Sequence, residues 1–243
     1  MNDYCNMLKE SLISKGASMV GFAELSSIPE HYRKGYKYGI SIVVALDAEV
    51  ISEIDYGPTV EYCNEYKKAC DILDDLTRYT AKFLEVCDYL AYPMLSNNLH
   101  VNQRRRKAYL PHKTVAYLSG LGWVGKNSLF VTKEYGSAVK MATVLTNAEL
   151  EVGTPLKSSK CGSCMKCMDV CDVNELLGTH WNVQEGSPQS AYQCSEISKG
   201  TNNIQDIDKS ICGQCMVICP WTKSYIKRSL LTEDSYLYDQ SLA

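Results

Sequence analysis

Residues 161–171 read Cys161-Gly-Ser-Cys164-Met-Lys-Cys167-Met-Asp-Val-Cys171, and residues 212–220 read Cys212-Gly-Gln-Cys215-Met-Val-Ile-Cys219-Pro220. The first is a C-x2-C-x2-C-x3-C run. Three thiolates at that spacing wrap one iron-sulfur cube, and the turn sends the fourth to a neighbouring cube. The second stretch keeps the last three cysteines of the motif, with Lys209 where the first would stand. Cys194 supplies the missing thiolate, since a loop returns a remote ligand at modest entropic cost. The expected ligands are Cys161, Cys164, Cys167 and Cys219 for one 4Fe-4S cluster, and Cys171, Cys194, Cys212 and Cys215 for a second. Structural zinc sites also use C-x2-C knuckles, but they set two pairs apart, and the Cys-Pro ending belongs to the iron-sulfur pattern. Asp172 stands where many such motifs place proline, a change in the turn that leaves the ligands intact.

Working outward, the chain has 243 residues, 45% of them apolar, and a formal net charge of -3. That is enough for one sizeable core and a smaller appendage, and the charge balance does not ask for nucleic acid or an anionic membrane. The opening MNDYCNMLKESLISKG lacks the basic-then-apolar pattern of a secretory signal, and no window approaches the roughly 18 apolar residues of a membrane span. A cytoplasmic protein without membrane contact is expected. Its twelve cysteines are then not a disulfide framework, because the cytosol keeps thiols reduced.

Residues 2–15 read as a helix with Leu8, Leu12 and Ile13 on one side, closed by Gly16, and Ser18–Glu24 as a strand. Ile40–Leu46 is too continuously apolar for a surface strand and fits the centre of a sheet. Thr59 to about Cys87 is one long amphipathic helix, with Cys63 and Cys70 on its apolar side acting as small hydrophobes. Tyr89–Leu95 is a further strand and Lys113–Ser119 a short helix stopped by Gly120. Ser128–Thr132 and Ala138–Leu145 look like strands joined through Gly136. Alternating strands and helices give an α/β or α+β arrangement for the first part. The pattern changes after Gly153-Thr154-Pro155, so the expected parts are a scaffold over 1–154, a double-cluster domain over 155–226 and a tail over 227–243.

A scaffold this long exceeds what electron transfer alone requires. The segment Gly120-Leu121-Gly122-Trp123-Val124-Gly125-Lys126-Asn127-Ser128-Leu129, followed by Tyr135-Gly136-Ser137 and Val144-Leu145-Thr146-Asn147, resembles the GLGW-x-GKN region of the epoxyqueuosine reductase family, which is related to the reductive dehalogenases. From about Gly16 to Trp221 the motif order also agrees. The resemblance implies an oxidoreductase with a nitroreductase-like scaffold that holds cobalamin beside the nearer cluster, followed by a bacterial-ferredoxin-like domain. It implies clusters that pass single electrons to cobalt, fed by an external ferredoxin- or flavodoxin-type donor, with a small molecule or the corrinoid of a partner protein as substrate. No D-x-H-x2-G segment occurs, so base-off binding is expected. Glycines at 122 and 125 let backbone approach a large planar ligand, Lys126, Asn127 and Ser128 offer donors to a corrin's amide rim, and Trp123 offers apolar wall, with Tyr135 nearby. The plainer reading of the segment is a tight helix-to-strand turn around a buried tryptophan.

One position departs from the family. Ungapped counting back from GLGW puts Arg106 where these reductases carry a proton-donating aspartate, among Arg104, Arg105 and Lys107. A guanidinium cannot serve as that acid, and the sequence ends without the helical repeats that help such enzymes grip tRNA, so tRNA is not the expected substrate. His112 is the leading substitute as proton donor, then Tyr109, with Tyr117 and Tyr135 behind. The arginine run reads as a solvated loop, or else as a gate for an anionic substrate or a docking patch for an acidic redox partner. Two rival readings are a two-cluster electron carrier without cobalamin and a reductase whose pocket holds flavin.

Overall fold

Strand β2 (Tyr38–Ala45) organises the molecule. Ile40, Ile42 and Val44 point to one side, into a core shared with Leu8 and Leu12 of helix α1 (Asp3–Ser14) and Leu73, Leu76 and Leu84 of helix α3 (Val60–Val86). Val43 points to the other side and packs with Ala116 of helix α4 (His112–Leu118). A strand covered on both faces needs apolar residues at every position, which explains its unbroken run. The computed structural model describes residues 3–55, 57–96, 101–102, 107–108, 110–171, 178, 181, 183 and 211–240. Arg104, Arg105, Arg106, Tyr109, Asp172 and Cys194 lie outside the described residues.

β1 (Met19–Glu24), β2, β8 (Val139–Thr146) and β3 (Ala91–Met94) form one sheet in the order β1-β2-β8-β3, with every neighbouring pair antiparallel. The fold is mixed α/β. Helix α3 begins where Thr59 accepts a hydrogen bond from the Tyr62 amide at 3.0 Å, a side-chain cap. Burying each of Leu73, Leu76 and Leu84 contributes roughly 1.5–3 kcal/mol, so the long helix is held by its packing face. Cys63 and Cys70 are buried on that face as expected. Ile13 is 43% exposed, off the buried side of α1. Short pieces complete the scaffold: α2 (Ala48–Ser52), capped by Asp47, and the pair β4 (Val101–Asn102) and β5 (Lys107–Ala108).

The hairpin expected across Gly136 does not form. β7 (Phe130–Val131) pairs with β6 (Trp123–Val124), while β8 joins the main sheet. Gly136, at φ 58, makes only an isolated bridge to Thr132, and a Cβ there would strike the Thr222 backbone. A close crossing, rather than a hairpin turn, is what this glycine permits.

The cysteine-rich part contributes α5 (Lys166–Asp169), α6 (Gln214–Val217) and α7 (Pro220–Gln240). Helix α7 runs through residue 226 without a break, across the place where the sequence suggested that a tail begins. Ile211 and Met216 belong to the same buried core as the scaffold residues of α1, β2 and α3. Among the described residues, no helix is long and apolar enough to cross a membrane.

Candidate iron-sulfur site

The two cysteine motifs meet. The Cys167 thiol is pushed up, first by burial and then by the proximity of Cys161, Cys219 and Cys164. Three cysteines of the first motif thus share a neighbourhood with the last cysteine of the second, and the fold brings this set together from both sides of α5 and α6. Among the described residues no three His, Cys, Asp or Glu side chains are placed to hold one metal ion. A cube differs from a single ion in spreading its four thiolates over separate corners.

One polar atom fits an iron-sulfur cluster at this place. Trp123, Val131 and Cys219 form a buried patch with Cys161, Leu156 and Trp221 packed against it. Trp123 is 3% exposed, stacks edge-on against Trp221 at 5.1 Å, and its indole N–H is buried without an acceptor among the described residues. Buried donors are ordinarily satisfied, and the inorganic sulfur of a cluster is an acceptor. The four thiols therefore fit a cube on donor set and surroundings alike.

Cys212 and Cys215 lie on the other side, against α3. Both add to the upward push that burial and Tyr66 give the Tyr62 hydroxyl, which stays protonated. Gly213 between them sits at φ 93, and a Cβ there would come within 2.9 Å of Ile54. Cys171 follows α5, its amide bonded to the Met168 carbonyl at 3.1 Å. Next to these cysteines is a cavity of about 610 Å³ whose lining includes Ile54, Val170, Gln214, Ile218, Lys223 and Lys227.

The segment read as a corrin cradle is placed differently. Residues 123–131 are a β-hairpin: the Gly125 amide donates to the Leu129 carbonyl at 2.8 Å and the Ser128 amide to the Gly125 carbonyl at 2.9 Å. Ser128 takes the left-handed conformation, φ 60, that a three-residue hairpin loop of this kind requires. At Gly122 a Cβ would strike the Val131 carbonyl, so that glycine allows strand to approach strand. At Gly125 a Cβ would come within 2.6 Å of the Asn127 amide oxygen. The loop tip reaches the cysteine motifs. Lys126 Nζ donates to the Gly162 and Cys164 carbonyls at 2.8 and 3.1 Å and lies 3.3 Å from Met165 Sδ. Asn127 Nδ2 donates to the Cys215 carbonyl at 3.1 Å. Tyr135 stacks on Tyr225 of α7 at 5.2 Å. The side chains of Lys126, Asn127 and Tyr135 are engaged with protein, and a tight turn around a buried tryptophan describes the segment's geometry.

His112 is likewise engaged. Its Nε2 lies 3.1 Å from the Leu95 carbonyl, which can only accept, so Nε2 carries the proton and Nδ1 accepts from the Thr143 hydroxyl at 2.9 Å. Burial lowers its pKa to about 4. The neutral ring's one proton, on Nε2, is held by the Leu95 carbonyl, so the geometry lends His112 no support as donor. Lys113 beside it donates to the Ser128 carbonyl at 2.8 Å, and burial alone lowers its pKa to about 8. Tyr117 donates to the Leu156 carbonyl at 3.1 Å.

No protein-family profile matches the chain. Among curated proteins it is 33% identical over 127 residues to the epoxyqueuosine reductase of Atelocyanobacterium thalassa (isolate ALOHA), covering 49% of this chain and 40% of that protein. Among solved structures it resembles an epoxyqueuosine reductase determined with an epoxyqueuosine-modified tRNA-Tyr stem loop, with TM-score 0.61 and 20% identity over 90% of this chain and 65% of that one. A reductive dehalogenase whose structure suggests a mechanism for B12-dependent dehalogenation gives TM-score 0.66 and 16% identity over 88% of this chain and 32% of that one. These structural likenesses speak to the fold. The resemblance read from GLGW-x-GKN and the cysteine order is the one the comparisons find. The sequence match to the cyanobacterial relative covers about half of this chain, less than the stretch from Gly16 to Trp221, and the chain spans about 40% of that relative's length.

Proposed function

We propose that the chain is an iron-sulfur oxidoreductase of the cytoplasm that moves single electrons through two 4Fe-4S clusters to an acceptor beside the scaffold. The single observation that carries this reading is the convergence of Cys161, Cys164, Cys167 and Cys219 from two separate motifs, with Cys161 and Cys219 in the patch that holds the unpartnered Trp123 N–H. Cys171, Cys212 and Cys215, with Cys194, make up the second ligand set. The parts are a nitroreductase-like scaffold over 1–154 and a ferredoxin-like cluster segment over 155–226. In the part read as a tail, 227–243, residues 227–240 continue the last helix.

Bound clusters would supply one-electron reducing power from an external donor of the ferredoxin or flavodoxin type. The chain's own residues do the rest. Thiolates from both motifs anchor each cube across the segment, Trp123, Val131 and Trp221 keep water from the first set, and the hairpin tip at Lys126 and Asn127 fastens both cysteine loops to the scaffold. The acceptor in this reading is a corrinoid, in line with the dehalogenase relative described as B12-dependent. It would reduce a small organic substrate or serve a partner corrinoid protein. Of the residues read as its cradle, Gly122 and Gly125 are approached by the chain itself and Lys126 and Asn127 donate to the cysteine loops, which leaves Trp123, Ser128 and Tyr135 as the ones that could face it.

Anaerobic reconstitution followed by metal analysis and EPR tests the core of the proposal. About eight iron and eight sulfide per chain are expected for two cubes, and zinc in their place would end it. Titration with cob(II)alamin then decides the acceptor. A base-off spectrum supports a corrinoid, an unchanged spectrum points to a two-cluster electron carrier, and flavin retained through purification points to a flavin reductase. Because one relative was solved with a tRNA stem loop, the same stem loop belongs in the binding assay, and its tight binding would reverse the expectation against tRNA.

A further inference from the structure

The tip of the β6–β7 hairpin holds an ammonium and an amide against two different cysteine motifs, one residue apart. Lys126 Nζ lies within 3.1 Å of two carbonyls of the first motif, Gly162 and Cys164, and Cys164 is itself one of the converging thiols. Asn127, the next residue, reaches the second motif through the Cys215 carbonyl and carries no charge. The strand leading into this tip holds Trp123, whose buried N–H has no acceptor among the described residues and lies in the patch that contains Cys219 and Cys161. One hairpin thus presents a full positive charge and an indole donor to the first ligand set, and a neutral amide to the loop of the second.

A cluster gains one negative charge on reduction. A fixed cation nearby stabilises the reduced form through Coulomb attraction, and hydrogen bonds to cluster sulfur act in the same direction. Neither effect requires Lys126 to exchange a proton, because its three donors already meet two carbonyls and a thioether sulfur. We propose that Lys126, supported by the Trp123 N–H, raises the reduction potential of the cluster on Cys161, Cys164, Cys167 and Cys219. Lys126 is in this view a positioning and tuning residue, and the glycine-rich segment serves the cluster from its outer side.

This inference rests on the two-cluster reading, and the experiment separates them. EPR-monitored redox titration of the reconstituted full chain follows the two one-electron steps in Lys126→Gln, Lys126→Arg, Trp123→Phe and, as a remote charge control, Lys82→Gln, with iron and sulfide measured for each. Lys126→Gln keeps hydrogen-bonding capacity without charge. It is expected to make one of the two steps about tenfold harder, about 59 mV for one electron, while the other step stays in place. Lys126→Arg and Lys82→Gln are expected to stay within about twofold of the parent, and Trp123→Phe to move the same step in the same direction by about threefold. Full iron content with both steps unmoved in Lys126→Gln overturns the inference and leaves the two-cluster reading standing. So does a Lys126→Arg shift equal to that of Lys126→Gln. Should Lys126→Gln fail to hold iron, Trp123→Phe decides, an unmoved step counting against the proposal. A parent protein without iron removes the two-cluster reading and this inference together.

Discussion

Cysteine behaves in opposite ways in two regions of the molecule. On α3, Cys63 and Cys70 are 2% and 4% exposed and pack on the same face as Leu73 and Leu76. After Gly153, Cys161, Cys164 and Cys167 are half-buried and gather with Cys219, and burial together with these neighbours pushes the Cys167 thiol up. The difference teaches that a thiol's role follows from its company. A thiol inside a helical stripe is a small hydrophobe, and thiols that meet from separate turns are ligands in waiting.

Serine substitution breaks the comparison most sharply. Cys219→Ser is expected to lower iron from about eight to about four per chain, since one cube loses a ligand that only the second motif supplies, and Cys167→Ser should do the same. Iron at the parental level in Cys219→Ser would show that the first motif does not borrow from the second.

Some of this contrast was legible in the sequence. Cysteine spacing is local, so it could be read without knowing the fold, and so could the period of α3 and the unbroken run of β2. The partners of β7 and β8 were less legible, because pairing is decided by tertiary contacts: Thr222 against Gly136 and the Val131 carbonyl against Gly122. The same limit explains the GLGWVGKN segment. Its glycines announced a close approach correctly, but the approaching group is the chain itself. Donors at Lys126 and Asn127 were visible, while their acceptors lie 36 and 88 positions away. Helix α7 was missed as a whole because its polar later half resembles a tail.

His112 extends the contrast to a second reactive residue type in the scaffold. Its pKa falls from 6.5 in the unfolded chain to about 4 in the fold. Between those values the unfolded chain holds the extra proton, so stability rises with pH through the window and is lost as pH falls from about 6.5 towards 4. The loss should reach about 3 kcal/mol, read as a drop in urea midpoint. His112→Gln should flatten this slope while leaving iron content unchanged. A slope that persists in the variant would assign it to carboxylates instead. Cys63→Ser should come next in size, costing about 1–3 kcal/mol by burying a hydroxyl among apolar neighbours, again with full iron. Iron loss in that variant would erase the distinction between the two regions.

The smallest effect is expected at Lys113, which ties the hairpin to helix α4 by bonding the Ser128 carbonyl. Burial lowers its pKa from 10.5 to about 8, a penalty on the charged form of at most about 3 kcal/mol. Among the described residues no carboxylate forms an ion pair with it. Against that penalty stands one charge-assisted hydrogen bond, worth about 1.5–3 kcal/mol. The two nearly cancel, so Lys113→Met should change stability at pH 7 by less than about 1 kcal/mol. The pH dependence carries the sign. Below about 8 the native lysine bears the full cost of its buried charge, and from about 8 to 10.5 the fold releases the proton while the unfolded chain keeps it, so the parent gains stability. Lys113→Met lacks that gain, and its stability relative to the parent should fall across this window. A difference that stays constant with pH would mean that solvent reaches the ammonium, and that the hairpin is held to the scaffold by its other contacts.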